Sequence, residues 1–309
     1  MINKFDYMKK SIYLSLLILF LLTLITTITE GYLRYIGLGD PVVYDSNYVY
    51  GYAPKKNQKK IRINNSRVSI NDVGLRSLYN WSENKNYKKI VFFGDSVTYG
   101  GSYIDDTKTF AHISCEEFKD INIICGNAGV NAYGIHNIIY RSKYDKRIGK
   151  IYIKIFIIVP DDFYRGLQNS KTAHFYLNQK KFFLSGIFEA VNFLSVKYDL
   201  NKFIGKFDDT KIETNQFDLI NESINLLTSE FISLENQNQK FLAFYIHPRK
   251  NSSIDEYIFN ELKSKHKIID LKKILKENMY FDSIHLNKLG HKNVASIINY
   301  ELKNIIKNN

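Results

Sequence analysis

The sequence predicts an α/β fold: a three-layer α/β/α sandwich around a parallel sheet of about five strands, preceded by one N-terminal transmembrane helix. Three observations lead to it. From residue 86 onward, nearly continuous apolar runs alternate with amphipathic stretches, as strand-helix-strand units with strands covered on both faces require. Phe217, Ile220, Ile224, Leu227 and Phe231 recur every three or four residues, as do Val294, Ile297, Ile298, Leu302 and Ile305, and each set marks one core-packing face of a helix. Residues Ser11 to Thr29 carry no charged side chain and are dominated by Leu and Ile, about the length a helix needs to cross the hydrocarbon core of a bilayer.

Lys4, Lys9 and Lys10 precede that apolar run and Glu30 opens its far side. The positive-inside bias then puts the N-terminus in the cytoplasm and the bulk of the chain outside it, in the periplasm or at the cell surface, as a single-pass membrane protein. A cleaved signal peptide is the alternative. Against it, the run exceeds a typical signal core, and Thr26-Thr27-Ile28-Thr29-Glu30 offers no small-x-small cleavage site. Three regions are expected: tail and anchor over residues 1–30, a juxtamembrane lead-in over 31–85, and the α/β domain over 86–309. The lead-in, irregular and aromatic, is expected to dock on the domain as short strands. Within it Arg76 is weighed as a substrate contact against a docking role.

In the domain the expected strands are Ile90 to Phe93, Ile121 to Cys125, Ile151 to Val159, Phe241 to Ile246 and Lys267 to Leu271. Residues 166–210, rich in Phe and Tyr without clear periodicity, read as an insertion, either a lid beside the site or a structural excursion.

At 309 residues and 45% hydrophobic, the chain holds one well-buried domain plus accessories. Its net charge of +12 invites a nucleic-acid or anionic-membrane reading. Lys, Asn, Ile and Tyr are used heavily throughout, however, so the charge reads as diffuse and no nucleic-acid partner is expected. The densest run, Lys55 to Arg62, reads as a solvated loop or a contact for anionic lipid or acidic glycan. Cys115 and Cys125 are the only cysteines; they form one disulfide in an oxidising compartment or serve as small core residues. Neither a metal-ligand cluster nor a glycine-rich phosphate loop is visible, so no cofactor and no metal are expected.

Two motifs carry chemistry. Phe92-Phe93-Gly94-Asp95-Ser96-Val97-Thr98-Tyr99-Gly100 sets a serine between glycines directly after an apolar run, where a sharp turn lifts a hydroxyl into reach of a base. An ordinary turn with local Asp and Ser hydrogen bonds is the alternative. Far downstream stands Asp282-Ser283-Ile284-His285. A carboxylate three residues before an imidazole can fix its tautomer and stabilise the charged ring. Taken alone, the same residues read as a surface turn capping the last helix.

On Gly94-Asp95-Ser96 and Asp282-x-x-His285 the chain resembles the SGNH (GDSL) hydrolase superfamily, over roughly residues 86 to 309. The resemblance implies Ser96 as nucleophile, His285 as general base and Asp282 as its orienting partner. It makes Asn127 to Gly134 the second block and places the oxyanion glycine at Ala132, whose backbone N–H remains available if its dihedrals are ordinary; Gly129 and Gly134 are rival assignments. The third block, normally Gly-x-Asn-Asp, falls on Pro160-Asp161-Asp162, with Asp161 where a donor is expected. An ionised carboxylate accepts but cannot donate. Either Asp161 is protonated, or it points elsewhere and the backbone donors of Ser96 and Ala132 suffice, or the chemistry is not simple ester hydrolysis. Arg165 is placed to pair with either carboxylate. Gly129, Asp162 and His247 are assigned to substrate contact, with a structural role as the alternative for His247; His291 is assigned to the helix surface.

The function implied is a membrane-anchored serine esterase acting on acyl esters, O-acetyl groups of a cell-surface polysaccharide in particular, with an acylated glycan or lipid as substrate. An O-acetyltransferase using the same three residues, or a catalytically weak glycan-binding or assembly component, are the alternatives.

Overall fold

The computed structural model describes residues 4–168, 185–197 and 216–307. The chain forms two compact units, one of residues 1–41 and 179–207, the other of residues 42–178 and 208–309.

The smaller unit contains helix α1 (Lys4–Tyr35) and a second helix, Gly186–Lys197, α5 in chain order. Within Met8–Tyr35 of α1 an 18-residue window has a mean hydropathy of 2.4 and none of it is buried, which suits a membrane span or a signal sequence. Glu30 accepts hydrogen bonds from the N–H groups of Gly186 and Ile187 at 2.9 and 3.0 Å. It thereby satisfies two donors that the first turn of α5 leaves open. Most of the stretch expected as a lid, residues 169–184 and 198–210, lies outside the described residues.

The larger unit opens with two antiparallel hairpins, β1 (Tyr44–Asn47) with β2 (Gly51–Pro54) and β3 (Gln58–Arg62) with β4 (Ser66–Ile70). Then follow β5 (Lys88–Phe93), α2 (Ser96–Tyr99), α3 (Phe110–Glu116), β6 (Ile123–Asn127), α4 (Ile135–Tyr144) and β7 (Ile153–Ile158). The remaining elements are α6 (Gln216–Asn236), β8 (Lys240–Tyr245), α7 (Ser253–Lys265), β9 (Ile269–Asp270) and α8 (Lys288–Lys307). The central sheet has five strands, all parallel, in the order β6-β5-β7-β8-β9. That order places a topological switch point at β5, where open α/β sheets form their crevice.

Alternation along the strands explains the three layers. Val91, Phe93, Phe156, Ile158 and Tyr245 join Ile138, Ile224, Leu227, Phe231 and Ile258 of α4, α6 and α7 in one core. Ile90, Phe92, Ile155, Ile157 and Phe244 join Phe110, Val294, Ile298 and Leu302 of α3 and α8 in the other. Phe217 is 48% exposed, so the buried face of α6 begins at Ile220, one turn later than the sequence pattern suggests. The strand expected from Ile121 starts at Ile123, because residues Lys119–Ile121 form a 3-10 turn closed by left-handed Asn122. Cys115 of α3 is bonded to Cys125 of β6, with Cα atoms 5.7 Å apart.

Arg76 carries the segment before β5 onto the sheet. Its N–H donates to Asn127 O, and Asn127 N–H donates back to Arg76 O, at 2.9 and 3.1 Å. Its guanidinium is buried, pairs with Asp106 at 2.8 Å and donates to the carbonyls of Tyr99, Gly101 and Ile104. With every donor committed inward, Arg76 is a clamp on the loop after α2 and offers nothing to a substrate.

Candidate active site

Ser96 is presented by the turn that ends β5. At Gly94 a Cβ would lie 2.0 Å from Thr98 Oγ1 and 2.6 Å from Ile157 O, so only glycine lets the chain turn this close to β7. Asp95 caps α2, its Oδ1 accepting from Val97 N at 2.8 Å. Gly100, with φ 86°, closes the turn by donating to Ser96 O. Ser96 therefore sits on a short helical turn at the carboxyl end of a central strand.

A second loop brings His285. Between Met279 and α8 the chain folds back on itself, with Tyr280 bridged to Leu286 and Phe281 N donating to His285 O at 2.7 Å. Asp282 Oδ1 accepts the N–H groups of Ile284 and His285 at 3.0 and 2.8 Å, and Oδ2 lies 2.8 Å from His285 Nδ1. Burial opposes ionisation, but these backbone and ring donors outweigh it and hold the Asp282 carboxyl below its usual range. His285 Nε2 lies 2.8 Å from Ser96 Oγ. With the proton on Nδ1 facing Asp282, the Nε2 lone pair faces the serine O–H, so proton transfer from Ser96 needs no rearrangement.

Residues 127–134 line the other side. Asn127 donates to Thr98 O at 2.6 Å and accepts from Gly129 N at 2.8 Å, locking the loop to α2. Tyr52 donates to Asn131 O at 2.7 Å, and Tyr133 donates to Tyr52 O. Between these anchors Ala132 is exposed with φ 62°. The ordinary dihedrals expected of it are not found: the loop retains the left-handed turn that glycine would supply, at a strain of about 1 kcal/mol for alanine. Among the described residues, the N–H groups of Ser96 and Ala132 donate to no protein acceptor.

Asp161 does not provide a side-chain donor. It is half-exposed and its carboxylate lies 3.0 Å from Arg165 Nη2. Arg165 Nη1 reaches Asp95 Oδ2 and Tyr133 O, each at 3.1 Å, and approaches Asp162 Oδ1 at 3.6 Å. One guanidinium thus ties together the residue before Ser96, the residue after Ala132 and the third block.

Three residues assigned to substrate contact are committed elsewhere. Gly129 spends its N–H on Asn127, and a Cβ there would lie 2.3 Å from Tyr99 N, so its role is close packing. Asp162 is fully buried and accepts from Val159 N at 3.0 Å; burial, with the Asp95 charge nearby, pushes its carboxyl well above the usual range. His247 is buried, with Nε2 3.0 Å from Asp270 and Nδ1 2.9 Å from Asn251 Nδ2, which leaves the structural alternative. His291, placed at the helix surface by the sequence, is fully buried, and burial holds its ring down to about 3. Its Nδ1 accepts from Phe110 N at 3.2 Å.

Solved structures of several esterases and acylhydrolases match the chain at low identity. An acetyl xylan esterase matches at 16% identity, covering 67% of this chain and 96% of that one, with a TM-score of 0.41. A lipase/acylhydrolase from Enterococcus faecalis matches at 14% identity, covering 70% and 96%, with a TM-score of 0.42. A psychrotrophic esterase from Pseudoalteromonas sp. matches at 12% identity, covering 72% and 97%, with a TM-score of 0.43. No family model and no curated protein matches the chain. The fold itself rests on the strand order and the two cores, independently of these similarities.

Sequence spacing misses two features of the site. The Arg165–Asp95 contact joins residues 70 positions apart, and only the nearer Asp161 and Asp162 suggest a partner for Arg165 in the sequence. Tyr103 and Phe281 stack with ring centroids 4.3 Å apart beside Asp282, and Phe281 is 61% exposed. Nothing in the sequence around either aromatic marks the pair.

Proposed function

We propose that this chain is a membrane-anchored, extracytoplasmic serine esterase that hydrolyses acyl esters, O-acetyl groups on cell-surface polysaccharide in particular. The observation that carries the reading is the relay from Asp282 Oδ2 through His285 to Ser96 Oγ, with two 2.8 Å contacts. Its position at the carboxyl end of β5, at the sheet's switch point, supports it. The apolar helix α1 and its lysine-rich leading end support the anchor and its orientation.

In this mechanism Ser96 Oγ attacks the ester carbonyl carbon as His285 Nε2 takes its proton. Asp282 holds the imidazolium that forms. The carbonyl oxygen, now negative, collects the N–H groups of Ser96 and Ala132. Collapse expels the sugar alcohol, which leaves with the proton from His285, and the acyl group stays on Ser96. Water, deprotonated by His285, then releases the acid. The exposed face of Phe281, backed by Tyr103, is a wall on which a sugar ring can lie.

The full chain in detergent should hydrolyse p-nitrophenyl acetate, and Ser96→Ala should reduce kcat by at least about a thousandfold. Equal turnover by Ser96→Ala would overturn the assignment. One observation favours a second reading, a catalytically weak glycan-binding component: Asp161 is an ion-paired acceptor where a donor is expected. Folded protein that fails to label at Ser96 with a fluorophosphonate would select it.

A further inference from the structure

At the amino ends of the central strands, the opposite edge of the sheet from Ser96, lies a cavity of about 810 Å³. Five lysines line it: Lys85, Lys88 and Lys89 around the start of β5, Lys150 before β7, and Lys240 at the start of β8. Some surface lysines elsewhere are neutralised, as in the pairs Lys143–Glu230, Lys265–Glu261, Lys272–Glu256 and Lys303–Glu117; the cavity differs in gathering five into one concave site. Among the described residues, none of the five has a carboxylate partner. The one acidic side chain in the lining, Asp72, is taken by the N–H groups of Trp81 and Ser82 at 2.8 and 2.7 Å.

The charge is held in place. Lys88 Nζ and Lys240 Nζ lie 4.6 and 5.0 Å from the ring centroid of Tyr152, and Lys89 Nζ donates to main-chain carbonyls, among them Lys85 O at 3.0 Å. Lining the same cavity, Trp81 is 5% exposed and its indole N–H has no partner among the described residues. A buried donor with no acceptor is a standing cost, and the residue that carries it is part of the cavity wall.

We infer that this cavity binds an anionic polysaccharide, a chain bearing uronate carboxylates, at a site separate from Ser96. Carboxylates match the ammonium groups of Lys85, Lys88, Lys150 and Lys240, and Ser82, Asn86 and Gln237 in the lining match sugar hydroxyls. Single-stranded nucleic acid needs open aromatic faces for its bases; Tyr152 carries lysine ammonium groups and Trp81 is buried. An anionic bilayer needs a flat or protruding surface with apolar anchors, whereas this site is concave, with Ile148 buried and Val73 and Ile151 only partly exposed. The inference stands whether or not Ser96 is a nucleophile.

Trp81 is the only tryptophan in the chain, so its fluorescence reports on the cavity directly. Titrating the full chain in detergent with oligogalacturonate should change the emission saturably, and a neutral glucan oligomer should not. The double variant Lys85→Glu/Lys150→Glu, at exposed positions, should raise Kd at least roughly tenfold with an unchanged thermal melt. About 0.5 M salt should also weaken binding. Ser96→Ala should bind as tightly as the unaltered chain, which separates this site from the proposed catalytic one. No fluorescence response, insensitivity to the double variant, or equal competition by oligo-dT or phosphatidylserine vesicles would overturn the inference.

Discussion

Arg165 Nη1 lies 3.1 Å from Oδ2 of Asp95, the residue immediately before Ser96. The Asp95 side chain is almost wholly buried and shares Oδ2 with Ser96 Oγ at 3.3 Å. Burial disfavours the guanidinium charge, but three carboxylates around it outweigh this and raise its affinity for the proton further. The cation is therefore a fixed feature of the site. It holds the turn that bears Ser96 and, through Tyr133 O, the loop that carries Ala132 in one arrangement.

Arg165→Met should accordingly cost stability and rate together. The buried Asp95 carboxylate loses its cation, for roughly 2–4 kcal/mol. Arg165→Lys restores the charge but not the fork that reaches Asp95, Asp161 and Tyr133 together. Thermal melts should show most of the stability returned in the lysine variant, while kcat for p-nitrophenyl acetate stays at least about tenfold down with KM little changed. Full recovery of kcat by lysine would reduce Arg165 to a counter-charge.

Ala132 gives a finer test. Its φ of 62° suits glycine, so Ala132→Gly should relieve strain while loosening the unfolded chain, for a net gain of about 0.5 kcal/mol or less. The N–H stays in place, so kcat should remain within about twofold. Ala132→Val puts a β-branched residue where it is a true outlier; it should flatten the turn and lower kcat at least about tenfold. Equal kcat in the valine variant would remove Ala132 N–H from the proposed mechanism.

How much of this was legible in the sequence follows from the range of the interactions. Strands β5 to β8 read clearly because both faces are buried along most of their length, which makes each largely an apolar run, whereas β9 is only Ile269–Asp270 and half-buried. The Asp282–His285 contact was legible because its local spacing is itself the geometry: Asp282 caps its own turn. What did not read depends on partners far along the chain. His291 sits three residues into α8 like a surface residue, yet Phe110 and Gly100 close over it. Arg76 looks like any loop arginine until Asp106 and three carbonyls surround it. Polar residues hydrogen-bonded in the interior carry no hydropathy signal.

Asp162 makes a pH prediction. Its folded-state carboxyl is raised, by burial first and the Asp95 charge second. A raised folded value means the folded state holds the proton more tightly. The associated stability is full below the unfolded value near pH 4 and is lost as pH rises through the folded value. Asp162→Asn keeps an acceptor for Val159 N and removes the titration. Its melting temperature relative to the unaltered chain should therefore climb as pH rises from 4 to 8; parallel curves would refute the assignment.

Asp106 and Arg76 are each 2% exposed and 2.8 Å apart. Removing either should leave an uncompensated buried charge, at about 3–5 kcal/mol. A simple buried pair would recover when both partners become apolar. This one should not, because the guanidinium also satisfies the carbonyls of Tyr99, Gly101 and Ile104, and Asp106 Oδ2 accepts from Ser69 N at 2.8 Å. Arg76→Met/Asp106→Leu strands those backbone groups in a site that excludes water. Urea unfolding of the full chain in detergent should find the double variant no more stable than Arg76→Met. Because the freed loop follows directly from the turn bearing Ser96, fluorophosphonate labelling of Ser96 should slow in both. A double variant restored to within about 1 kcal/mol of the unaltered chain would show that the ion pair, and not the carbonyl clamp, is what Arg76 contributes.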